Sequence, residues 1–193
     1  VYLAQGQMCG EVTETTAILH ARLTSAEGLL DGDVPGLAGT GRFQVSQSKT
    51  FEKAIETEWL NADKNNDYII KTKIENLEPG KTYYYRLIFG QNKNRTNKGK
   101  TCTFKTLQGG AGENPASFVV VTGMNYARFF FGRKGKGGYE GPDREQGYPA
   151  LETIRKLSPD YFVGTGDNVY YDTSRPGRED AVTPGGMRRK WHE

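Results

Sequence analysis

Over its first hundred residues the chain alternates apolar and polar positions in short runs. In Thr16–Leu23, Ala17, Leu19, Ala21 and Leu23 fall on one face. Tyr68, Ile70, Thr72 and Ile74 do the same in the next clear run. A period of two marks half-buried strands. Arg42–Ser46 reads as another strand, after a Gly/Pro/Asp-rich loop at Gly28–Gly41. Gly99–Thr106 reads as the last of the series. Short strands separated by turn signals predict an all-β sandwich over 1–108.

The stretch Leu77-Glu78-Pro79-Gly80-Lys81-Thr82-Tyr83 is the most specific part of this half. Pro79-Gly80 makes a tight corner between strands. Tyr83 follows where a tyrosine corner sets its hydroxyl against upstream backbone. Tyr83, Tyr85 and Leu87 then alternate inward, so these tyrosines have a structural role and no catalytic one. The corner resembles that of a fibronectin type III domain.

The pattern changes after a linker at 109–115, rich in Gly and ending in Pro115. Ser117–Thr122 is a continuous apolar run, the signature of a strand buried on both faces. Pro149–Leu157 has helical spacing, with Leu151, Ile154 and Leu157 on one face and Pro149 in the first turn. Tyr161-Phe162-Val163 is a second strand. One β–loop–α–β unit of this kind is right-handed with parallel strands. Two strands and one helix cannot cover their own sheet. Residues 116–193 therefore read as the first part of an α/β domain. The chain also stops inside a basic helix at Met187–Glu193, so we expect an N-terminal portion of a longer protein.

Composition narrows the picture. Twenty-five of the 193 residues are Gly, which fits a chain rich in turns, and 11 Tyr and 9 Phe favour strands. A net charge of +3 does not imply a nucleic-acid partner. No apolar run approaches the ~18–20 residues of a membrane span, and no signal peptide is present. Cys9 and Cys102 lack ligands at zinc spacing. They read either as one disulfide, suited to an oxidising compartment, or as two unrelated buried thiols.

The candidate chemistry lies at Gly164-Thr165-Gly166-Asp167-Asn168-Val169-Tyr170. Open α/β sheets bind ligands at the carboxyl ends of parallel strands. A carboxylate there can bridge two cations ~3.5–4 Å apart. Tyr170, three residues on, is near enough to ligate one of them as a phenolate. The alternative is an ordinary Gly-Asp turn. The connection Ala127–Gly147 carries Arg133, Lys134 and Lys136 with no acid before Glu140. It lacks the ending of a P-loop, and reads either as a contact for an anionic substrate or as a solvated insertion.

With the sandwich first and Gly166-Asp167-Asn168-Val169-Tyr170 at a strand end, the chain resembles the PhoD-like alkaline phosphatases/phosphodiesterases. These couple a fibronectin-like domain to a calcineurin-like metallophosphoesterase domain. The resemblance covers nearly the whole chain but only the start of the catalytic domain. Its GDxxY motif implies that Asp167 bridges two metals and Tyr170 ligates iron, the second metal being calcium or another divalent cation. It also implies a phosphate ester substrate and a periplasmic or secreted location. One position departs from the family. Gly123 stands where an early Cys or Asp ligand is expected, and Asn125 is the nearest replacement, either as a ligand or as a turn residue. The competing function is a non-enzymatic module, in which the sandwich binds a partner or carbohydrate beside a degenerate α/β portion.

Overall fold

The computed structural model describes residues 1–110, 115–134 and 136–192, so residues 111–114 of the predicted linker lie outside them. The chain divides into two compact units, Val1–Asn114 and Pro115–Glu193.

The first unit is a β-sandwich. Strands β1 (Gln7–Gly10), β2 (Ala17–Arg22) and β6 (Ile69–Ile74) form one antiparallel sheet in the order β1-β2-β6. The other sheet centres on β3 (Gly39–Ser46) and β7 (Thr82–Asn92). The short strands β4 (Ile55–Glu56) and β5 (Leu60–Ala62) pair with β3. β8 (Arg95–Lys98) and β9 (Cys102–Lys105) pair with β7. The inward positions fill the space between the sheets: Leu19, Leu23, Phe43 and Leu87 are fully buried, and Tyr83, Tyr85 and Phe104 pack ring against ring.

β8 escapes a hydrophobic reading because all four of its residues are exposed. A turn makes it: the Asn92 side chain accepts hydrogen bonds from the amides of Asn94 and Arg95 at 3.0 and 3.1 Å. β3 begins at Gly39, inside the predicted loop, because Gly39 and Gly41 let it run close to β7.

The corner before β7 is closed by three side-chain bonds. The Tyr83 hydroxyl accepts from the Glu78 amide at 2.8 Å. Thr106, buried just past β9, donates to the Glu78 carbonyl at 2.7 Å and accepts from the Lys81 amide at 2.9 Å. Both cysteines are free thiols, so the disulfide alternative is not realised here. Burial pushes the Cys9 thiol up to about 12. His20 is half-buried on β2 beside Lys71 of β6, and its Nδ1 is buried without a hydrogen-bond partner.

In the second unit, β10 (Phe118–Val121) and β11 (Tyr161–Gly164) pair in parallel, Phe118 opposite Tyr161 and Val121 opposite Gly164. β10 is not buried on both faces as its apolar run predicts. Phe118 and Val120 are 67% and 53% exposed, since no described layer of this unit covers that side. The predicted long loop contains a helix, α1 (Tyr126–Phe131). Its phenylalanines pack locally: the Phe129 ring lies 5.1 Å from that of Tyr139 and 4.7 Å from that of Tyr148. Helix α2 (Pro149–Leu157) opens with its proline in the first turn and closes at Ser158 in the left-handed conformation. α3 (Pro184–His192) is the basic helix at the end of the described chain.

Candidate functional site

The site forms where the two parallel strands stop. Beyond the ladder their ends stay tied. The Thr165 amide donates to the Val121 carbonyl at 3.0 Å, and the Thr122 hydroxyl donates to the Gly166 carbonyl at 3.0 Å. The Met124 amide then donates to the Asp167 carbonyl at 2.8 Å. Gly166, at φ 130°, and Asp167, at φ 53°, turn the chain sharply out of the strand direction. A non-glycine residue held at positive φ is costly and is often found at functional positions.

The turn leaves Asp167 exposed and brings Tyr170 back to it. The carboxylate is near enough to perturb the phenol. Burial, then Asp167, raise the Tyr170 pKa above its ordinary value, while Arg128 acts in the opposite direction and Asp172 adds to the rise.

Asn125 stands at the other strand end as the N-cap of α1, its Oδ1 accepting from the Arg128 amide at 3.0 Å. That bond satisfies one of the free amides of a helix start. Its Nδ2 is buried and has no partner. The capping role gives Asn125 the structural function that the sequence left as an alternative to ligation.

Of the basic loop residues, Arg133 and Lys134 line a cavity of about 600 Å³ together with Arg128, Asp172, Thr173 and Ser174. Lys136 is not among its lining residues; its amide closes a turn onto the Arg133 carbonyl at 3.2 Å.

Three residues of the site were not singled out from sequence. Arg128 counts among the basic residues of the predicted loop without being singled out, and it lies in the first turn of what proves to be a helix. Tyr148 reads only as the lead-in to α2. Its hydroxyl is buried without a partner, and burial beside Tyr126 and Tyr170 pushes its pKa up to about 12. Asn168 follows the motif carboxylate. Its Oδ1 is buried and unpartnered, and its amide packs so close to Gly164 that a Cβ there would meet it at 3.0 Å. Unsatisfied buried polar atoms are scarce in native proteins and call for a specific explanation.

The model of the PhoD-like phosphatase N-terminal domain matches residues 2–106, more than half of the chain. The chain belongs to this family. A solved structure of PhoD is similar over 97% of this chain and 34% of its own length, at 18% identity and a TM-score of 0.72. The chain thus spans about a third of that structure, and the shared fold includes both units. The sandwich of this PhoD-like chain is also similar, at TM-scores of 0.38, to two smaller domains. One is the sensor domain of the anti-sigma factor RsgI4 of Pseudobacteroides cellulosolvens, 19% identical over 53% of this chain and 91% of that one. The other is a fibronectin type III domain of human fibronectin type III domain containing protein 3, 12% identical over 56% and 88%. No curated protein sequence matches the chain. Among the described residues no three His, Cys, Asp or Glu side chains group as a metal site, and no helix is long and apolar enough to cross a membrane.

Proposed function

We propose that this PhoD-like chain is the N-terminal portion of a metal-dependent phosphoric ester hydrolase, acting on mono- or diesters in the periplasm or outside the cell. In this reading residues 116–193 begin an α/β metallophosphoesterase domain, and the remainder of the longer protein completes its sheet. The observation that carries the reading is the Asp167–Tyr170 pair at the end of a parallel strand, backbone-tied to the end of its neighbour. The exposed Phe118 and Val120 support the second part, because a parallel sheet is stable only with both faces covered.

A binuclear centre of iron with calcium or another divalent cation fits these residues in part. Asp167 supplies an exposed carboxylate and Tyr170 a hard phenol oxygen near it, both suited to such ions. Asp172 also acts on the Tyr170 phenol, but no three His, Cys, Asp or Glu side chains group together among the described residues. The other ligands would come from the rest of the protein. When bound, such a centre supplies Lewis-acid polarisation of the phosphoryl oxygens and a water of lowered pKa. Asp167 would hold the metal pair at the strand ends, and Tyr170 would fix the orientation of that carboxylate. Asn125, as a cap, would hold α1 and therefore Arg128 in place.

The test uses the full-length protein. Loss of an outer-shell partner alone lowers metal affinity or activity ~10–100-fold, so Asp167→Asn should cost more than about 100-fold in metal-dependent hydrolysis of an aryl phosphate ester. Bound metal, measured by elemental analysis, should fall with it, and the circular dichroism spectrum should not change. Full activity with full metal content in Asp167→Asn would refute the assignment. A protein that binds no metal and hydrolyses no ester would favour the binding-module reading.

A further inference from the structure

We propose that the cavity lined by Arg128, Arg133 and Lys134 is a subsite for a second anionic group, carried on the leaving-group side of a phosphate ester substrate. This rests on the phosphoesterase reading of the Asp167–Tyr170 pair.

Three observations carry it. First, the cavity is large enough for a phosphate-sized group and more, at about 600 Å³, and three cations face it against one acid, Asp172. None of the three is ion-paired with a carboxylate among the described residues. Other exposed basic groups of this unit do find acids: Arg155 and Lys156 pair with Glu152, and Arg144 with Glu145. Like charges gathered in excess of their counter-charge repel, and an entering oxyanion relieves that repulsion while accepting charge-assisted hydrogen bonds.

Second, the cavity adjoins the candidate centre but is distinct from it. Asp167 and Tyr170 do not line it, whereas Arg128 and Asp172 both line it and both act on the Tyr170 phenol. Arg128 thus belongs to the cavity wall and also acts on the candidate centre, so one guanidinium could serve the scissile phosphate and a second anion. Its fork geometry suits two oxyanion contacts in one plane.

Third, the position of Arg128 is fixed. It lies in the first turn of α1, whose start is capped by Asn125. The return of the chain is tied back to the helix by the Tyr139 amide on the Phe129 carbonyl at 2.7 Å and by Arg144 on the Phe130 carbonyl at 2.8 Å. Ser174, also lining the cavity, is held by its bond to the Glu179 carbonyl at 2.8 Å. The chemical class that fits is an ester whose leaving group bears a further phosphate or phosphonate.

The experiment compares two substrates in the full-length protein: an aryl phosphate with a neutral leaving group, and the same ester bearing a second phosphonate on the ring. The bis-anionic ester should have the higher kcat/KM, and the double variant Arg133→Gln/Lys134→Gln should reduce that preference at least fivefold. Calorimetric titration with tripolyphosphate, at low salt, should show about tenfold weaker binding in the same variant. An unchanged preference together with unchanged tripolyphosphate affinity overturns the subsite. If neither ester is hydrolysed but tripolyphosphate binding is weakened in the variant, the anion site stands and the phosphoesterase reading falls. If the anion binds there but the wild type shows no preference for the bis-anionic ester, the assignment to the substrate is wrong.

Discussion

His20 illustrates what a single position contributes beyond its place in a pattern. It lies on the polar phase of β2, yet it is half-buried, with Nδ1 unpartnered and Lys71 opposite on β6. Burial, then the Lys71 charge, lower its pKa from the ordinary 6.5. A histidine kept neutral in the folded state binds fewer protons there than in the unfolded chain as the pH falls through 6.5. By linkage, stability then falls with it, until the folded-state group titrates as well. Urea denaturation should therefore show the sandwich less stable at pH 5.5 than at 7.5, and His20→Gln should lose part of that difference. An equal pH dependence in both proteins would assign it elsewhere. Cys9 makes a related point: two cysteines in predicted strands leave pairing open, and the structure holds both as free thiols that act on the same residue, Tyr85.

At the scale of elements, the corner before β7 was legible because each of its parts has a local cause. Pro79-Gly80 turns the chain, and the tyrosine three residues later reaches back. The contribution of Thr106 was not legible: it comes from the far end of β9, and it matters because its hydroxyl satisfies two backbone groups of the corner at once. Tyr83→Phe leaves the Glu78 amide without the hydroxyl it bonds to. It should cost ~1–3 kcal/mol, the desolvation cost of such a group, read as a lower urea midpoint with an unchanged slope. α1 shows the opposite case. Tyr126-Ala127-Arg128-Phe129-Phe130-Phe131 has no helical stripe of alternating polarity, so it read as loop. The helix exists because Asn125 caps it and because Tyr139 and Tyr148 cover Phe129 from residues 10 and 19 positions away.

At the scale of the molecule, the two units differ in how far they complete themselves. The core of the first unit, from Ala17 to Phe104, is drawn wholly from its own residues. The peptide 1–110 should therefore fold alone and unfold in one cooperative transition, at the denaturant midpoint that the sandwich shows in the longer chain. Non-coincident or broad transitions would mean that the sandwich depends on the second unit. That second unit leaves Phe118, Val120 and Phe162 more than half exposed. Its sheet is the start of a larger one under the proposed function.

The sequence alone determined what short-range chemistry controls. Alternation of apolar positions set the inward faces of β2, β6 and β7, Pro and Gly set the corner, Pro149 and Ser158 set the limits of α2, and the GDxxY spacing brought Asp167 and Tyr170 within one turn of each other. These depend on residues within about ten positions, where backbone stereochemistry and side-chain period act directly. The tertiary structure decided what depends on distant segments: the all-polar strand β8, the free thiols and the helix inside the basic loop. It also decided that Arg128, Asp172 and Tyr148 gather around the Asp167–Tyr170 pair. No periodicity records such meetings, because the ends of β10 and β11 are joined by a ladder between residues more than forty apart, and only the pairing of those strands brings their loops together.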